Sequence, residues 1–231
     1  VTEGWPKDNA VFEGVATVVI FCDGYSFHPI KRNLEFFDGL AKKGVGLVTI
    51  HWATEVERGT IAEKFLEWQG GFCDLNWSVN PHWDANFKVL PDHDITNGVK
   101  PFEINDEWYY HMRFAEGMKG VTPILTALPT EETLVRPDGP RSGNPDVRKA
   151  VANREPQHVA WAFERPNGGR GFGFTGGHVH DNWAHDDFRK LVLNAICWTA
   201  NIDIPANGIP SETPTRNELD ANQDERKPGS R

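Results

Sequence analysis

Two short β-branched runs, ATVVIFC (16–22) and VGLVTI (45–50), each precede an amphipathic stretch, and this alternation restricts the fold more than any other feature. The first run closes on Asp23-Gly24 and reads as a buried strand ending in a turn. KRNLEFFDGLAKKG (31–44) then spaces Leu34, Phe37 and Leu40 as one helical face, with Gly44 as its stop. After the second run, GTIAEKFLEWQGG (59–71) repeats the pattern, with Ile61, Phe65 and Trp68 on one face and Gly70-Gly71 at the end. A β-α-β-α order with wholly apolar strands implies a parallel sheet covered by helices on both faces.

The rest of the chain fits that α/β frame. Residues 85–114 break into short strands and turns and read as a β-rich insertion or edge. VTPILTAL (121–128) and HVAWAFER (158–165) read as strands joined by a Pro-, Gly- and Arg-rich loop. GRGFGFTGG (169–177) is a last strand, and DDFRKLVLNAICWTAN (186–201) a last helix with an acidic start. Residues 1–205 are expected to form one domain, and the polar, apolar-poor segment 206–231 a disordered tail. No internal repeat is visible.

Composition narrows the partners. A formal charge of -9 argues against nucleic acid, whose binders carry a basic face. No apolar run approaches the roughly 18 residues that a membrane span needs. Nine tryptophans and fourteen phenylalanines suit a sugar-lined cleft as well as a core. The cysteines, Cys22, Cys73 and Cys197, match neither a zinc module nor a disulfide framework, so the compartment stays open.

In open α/β sheets ligands bind beyond the carboxyl ends of the strands. Three such ends deliver histidines here: Asp23 and His28 follow the first run, His51 and Trp52 the second, and His178 and His180 the last strand. A shared site would explain that repetition. His185 reads as a helix-start residue, and His82, His93 and His158 as structural or surface groups. NDEWYYHMRF (105–114) supplies Asp106, Glu107, Tyr109, Tyr110 and His111 as a candidate cleft wall, and strand alternation would put Glu107, Tyr109 and His111 on one face.

Taken in order, FCDGYSFHPI, GVGLVTIHWATE, LPDHDITNGVKPFEINDEWYY and GRGFGFTGGHVHDNWAHDDFRKLVLNAICWTA resemble the ThuA-like family, named for trehalose utilisation. The resemblance spans almost all of residues 16–200. It implies a flavodoxin-like, doubly wound, mostly parallel sheet of the class I glutamine amidotransferase type, here without its first βα unit. Such a chain would be incomplete or would complete its sheet with another chain, a homo-oligomer being one outcome.

The resemblance also implies carbohydrate chemistry on disaccharides or oxidised (3-keto) sugars. Glutamine-hydrolysing relatives of the fold carry a cysteine nucleophile on a strained strand-to-helix elbow. The matching elbow here reads TIHWAT, so a thiol-based glutaminase is not expected. His51, His178 and Glu107 become the catalytic candidates, either holding a divalent metal or sharing proton transfer. Trp52, Tyr109 and Trp183 would shape the sugar pocket. No nucleotide cofactor is expected. The alternative is a non-catalytic carbohydrate-binding or interaction domain on the same fold.

Overall fold

The computed structural model describes residues 4–221. Its centre is a five-stranded sheet built from β1 (Thr17–Phe21), β2 (Gly46–Ile50), β7 (Val121–Ala127), β8 (Gln157–Glu164) and β9 (Arg170–Phe174). The strand order is β1-β2-β9-β8-β7. β1, β2 and β9 are mutually parallel, while β8 runs against both β9 and β7, so one strand of the sheet opposes the rest. This mostly parallel arrangement is compatible with a flavodoxin-like fold.

Alternation along β2 explains its central place. Val48 and Ile50 join one core cluster with Phe172, Phe174, Phe188, Leu191 and Trp198, the last three from α4 (Asp186–Thr199). Leu47 joins the other, with Phe37 and Leu40 of α1 (Leu34–Lys42) and Ile61, Phe65 and Trp68 of α2 (Thr60–Gln69). Every residue of β2 is buried because both faces are covered. β1 differs from expectation: it lies at the edge of the sheet, and Val19 and Phe21 are 43% and 62% exposed.

β3 (Gly71–Phe72) pairs with β6 (Arg113–Phe114) and β4 (Trp83–Phe87) with β5 (Phe102–Asp106), both antiparallel, so the β-rich region begins earlier than the expected residue 85. The segment read as a loop before β8 contains α3 (Pro145–Ala152). Its start was encoded: the Asn144 carboxamide accepts from the Asp146 and Val147 amides, and Pro145 takes the first helical position, where no N–H is needed.

Residues 206–221 lie against the domain, whereas their composition suggested a disordered segment. α5 (Arg216–Asp220) buries Leu219, and the Ile209 amide donates to Asn194 Oδ1 at 2.8 Å. The remainder of the expected tail, 222–231, lies outside the described residues. No helix among the described residues is long and apolar enough to cross a membrane.

Candidate functional site

β2 ends on Ile50, and His51 opens the 3-10 turn His51–Thr54 with φ at +56°, a left-handed conformation that a non-glycine residue rarely holds. The strained elbow is present, with an imidazole upon it. His51 Nδ1 lies 3.0 Å from the Thr175 carbonyl, which can only accept, so Nδ1 carries the proton and Nε2 presents a lone pair.

That lone pair meets three other groups. His178 Nδ1 is 3.2 Å away, Glu107 Oε2 3.4 Å and the Tyr109 hydroxyl 3.2 Å. Glu107 Oε2 also lies 3.2 Å from His178 Nδ1 and accepts from Tyr109 at 3.2 Å. Its other oxygen, Oε1, takes a hydrogen bond from Asn80 Nδ2 at 3.0 Å. His51 and Glu107 form the floor of the site, and His178, with its side chain 49% exposed, opens it to solvent.

The electrostatics follow from this crowding. Burial pushes the Glu107 carboxyl up, but a hydrogen bond from His51 when its ring carries both protons, together with the nearby His178, His51 and His82 rings, outweighs it, leaving the group below the usual carboxylate range. Burial and the Glu107 charge drive the Tyr109 phenol far upward, so it stays protonated and acts as a donor.

His51, Glu107 and His178 offer one ligand atom each within a small sphere. Ligands about 2.0–2.1 Å from a tetrahedral ion stand roughly 3.3 Å apart, so spacings of 3.2–3.4 Å fit a divalent cation. The Thr175 carbonyl fixing the far side of His51 is the outer-sphere support that a metal-binding imidazole commonly has.

Asp106 builds the scaffold of the site. It is fully buried and accepts from the amides of Glu107 (2.8 Å), Gly177 (2.9 Å), His178 (3.0 Å) and Val179 (3.2 Å), and from Asn182 Nδ2 at 2.8 Å. The carboxylate thus holds the His178 loop against the strand that leads to Glu107, and the structure gives it no open face for a ligand.

The other residues marked in the sequence make different contacts. His28 is buried, accepting from the Ile30 amide at Nδ1 and facing the Ala53 carbonyl at Nε2, and burial lowers its pKa to about 4. Tyr110 points its hydroxyl at Thr133 Oγ1, 2.7 Å away. His111 is turned aside by a left-handed backbone, φ +60°, and stacks on Trp77 at 4.3 Å. The strand alternation expected for 107–111 fails because β5 ends at Asp106. His180 Nε2 lies 2.9 Å from the Leu219 carbonyl of α5. Asp23, exposed, lines a separate cleft of about 540 Å³ with Cys22, Ser26 and His28. Trp52 follows His51 and donates its indole N–H to Glu55 at 2.8 Å, while Trp183 is half-buried against Phe188. His185 caps α4, accepting from the Phe188 amide.

Asn80 and His82 are the residues that sequence reasoning missed. His82, read as structural or surface, sets its ring edge-on to His178 at 4.9 Å. Their stretch, NPHWD, has no spacing that singles it out, and the pairing of β4 with β5 together with the Val79–Tyr110 bridge brings it to Glu107.

The ThuA family, described as trehalose utilisation, matches residues 9–199. Among solved structures, a ThuA-like protein from Bacteroides uniformis aligns with a TM-score of 0.56 at 16% identity, covering 81% of this chain and 70% of that one. A ThuA-like protein from Parabacteroides merdae aligns with a TM-score of 0.53 at 16% identity, covering 88% and 76%. At that identity the likeness speaks for the fold alone. No curated protein matches the sequence. With the family match running from before β1 to the end of α4, the chain belongs to the ThuA, or trehalose-utilisation, family.

Proposed function

We propose that this protein is a carbohydrate-processing enzyme acting on disaccharides or oxidised (3-keto) sugars through His51, Glu107, His178 and Tyr109. The observation that carries the reading is the convergence of two imidazoles, an ionised carboxylate and a protonated phenol at a strand end. Membership of a family described as trehalose utilisation supports a carbohydrate role.

A keto group acidifies the neighbouring C–H, so a base placed over that carbon can take its proton. His178 is the group suited to this work. It is half exposed, and Glu107, 3.2 Å from its Nδ1, would stabilise the imidazolium that forms. The enolate then either re-forms the ketone as the C–O bond to the leaving sugar breaks and the proton passes to the departing glycosidic oxygen, an elimination, or takes the proton on the former carbonyl carbon while the neighbouring hydroxyl's proton passes to the former carbonyl oxygen, an isomerisation. In the alternative arrangement a divalent ion held by His51, Glu107 and His178 would supply Lewis-acid polarisation of the substrate oxygen, and His178, its lone pair then used on the ion, would not serve as the base. Tyr109, fixed between His51 and Glu107, supplies a hydrogen-bond donor at the floor.

The test combines metal analysis with turnover of 3-keto-disaccharides. A stoichiometric divalent ion, or keto-sugar turnover, that is lost in His51→Ala and His178→Ala supports the reading. Unchanged turnover in His51→Ala overturns it, and sugar binding without any turnover points instead to a carbohydrate-binding domain.

A further inference from the structure

Of the seven described non-glycine residues with left-handed backbone, three lie on three separate loops of one region: Tyr25 at φ +57°, His51 at +56° and Arg141 at +58°. Such conformations persist only where surrounding contacts enforce them, and they gather at functional sites. These three loops meet. The Tyr25 amide donates to the Glu55 carbonyl at 2.7 Å, and Gly24 approaches so closely that a Cβ would stand 2.1 Å from the Trp52 carbonyl oxygen. Arg141 donates its amide to Leu75 at 2.7 Å and accepts from the Asn80 amide at 3.1 Å. Asn80 is the residue whose side chain binds Glu107, so a single residue links Arg141 to the cluster.

The Arg141 guanidinium is placed for a ligand. Its Nε donates to both oxygens of the fully buried Glu55, at 3.0 and 2.8 Å, and Glu55 also accepts the Trp52 indole N–H. The guanidinium carbon lies 5.8 Å from the Tyr25 ring and 5.6 Å from the Trp52 ring. Holding Glu55 uses Nε, and among the described residues no hydrogen bond from either Nη is found, which leaves the outer fork of donors flanked by aromatic faces. Tyr25 and Leu75 line a cleft of about 380 Å³ together with Val56, Glu57, Arg58, Asp74 and Asn76, and Arg141 and Trp52 stand outside that lining.

We propose that Arg141, Tyr25 and Trp52 form a subsite for a neutral sugar ring beside the His51–Glu107–His178 cluster. The proposal rests on the carbohydrate reading above but concerns different atoms. Aromatic faces take the C–H surface of a sugar, and the free guanidinium N–H groups donate to its hydroxyls. Neutrality follows from Glu55, whose carboxylate, set directly against Arg141, cancels the charge that would select an anion.

The experiment titrates the whole protein, followed by tryptophan fluorescence and calorimetry, with glucose, sucrose and trehalose, and with glucuronate and trehalose 6-phosphate as anionic counterparts. Zinc is titrated separately. Arg141→Lys keeps a charge against Glu55 but loses the fork, and Tyr25→Asn keeps the left-handed backbone but loses the ring. At least one neutral sugar is expected to bind, and each variant to weaken it by about tenfold or more with zinc affinity unchanged. Should Arg141→Lys not fold, Tyr25→Asn decides alone.

Absence of binding by every neutral sugar overturns the subsite. So does wild-type sugar affinity in either folded variant, or tighter binding of the anionic counterparts. Loss of zinc binding in His51→Ala with sugar affinity intact would leave the subsite standing, whereas failure of zinc to bind the wild type would count against the metal at the cluster and not against Arg141.

Discussion

His51 Nε2 and His178 Nδ1 stand 3.2 Å apart although 127 positions separate them in the chain. Parallel pairing of β2 with β9 sets both residues just past the same end of the sheet. The Thr175 carbonyl then orients one ring, and Asp106 holds the backbone that bears the other.

Zinc should bind the wild-type protein, and replacing His51 or His178 by alanine should weaken it by more than about 100-fold, since loss of even an outer-sphere partner costs about 10–100-fold. Affinity should fall as the pH falls, because protons compete for the imidazoles. The lowered Glu107 pKa keeps the carboxylate charged at mildly acidic pH, so its own protonation adds little to that loss. Calorimetric titration between pH 8 and 5, at about unit steps, checks both statements.

Asp106→Asn should destabilise the fold by about 2–4 kcal/mol, because an amide nitrogen would replace an oxygen that faces only N–H donors. The same change should weaken zinc binding by loosening the His178 loop, whose amide lies 3.0 Å from the carboxylate. Urea denaturation measures the first effect and zinc titration the second.

His28 gives a pH-dependent stability. Its folded pKa of about 4 lies below the ordinary 6.5, so the unfolded chain binds the extra proton first as the pH drops. The stability is present in full above about pH 6.5 and declines between 6.5 and 4, by about 3 kcal/mol at most. His28→Asn, which keeps a side-chain acceptor for the Ile30 amide, should flatten that part of the urea-denaturation profile.

Gly24→Ala should destabilise by roughly 1–3 kcal/mol, because the new methyl would meet the Trp52 carbonyl at 2.1 Å and that backbone must move. A shift in tryptophan fluorescence should accompany the loss, and an unchanged unfolding midpoint would refute the close approach.

The β-α-β-α order and the strand-end histidines were legible because apolar periodicity and topology operate over a few residues at a time. The edge position of β1 was not, since a strand's apolar run does not say whether its second face finds a partner. His28 misled for a related reason: its place after a strand was readable, but both ring nitrogens are consumed by local backbone groups at Ile30 and Ala53. Tyr109 and His111 looked equivalent by alternation, and the left-handed turn at His111 separated them. Asn80, His82 and Arg141 reach the site through long-range pairings that no local pattern announces.

The positive dihedral at residue 51 belongs to the main chain, held there by the Thr54 hydroxyl on the carbonyl of His51 and by the turn that follows. Any side chain seated at that point is thrust over the carboxyl edge of the strands toward position 178. The scaffold therefore behaves as a socket whose occupant can be exchanged: one codon can swap an imidazole for a thiol or a hydroxyl, and with it the class of reaction, while the expensive backbone geometry is inherited unaltered.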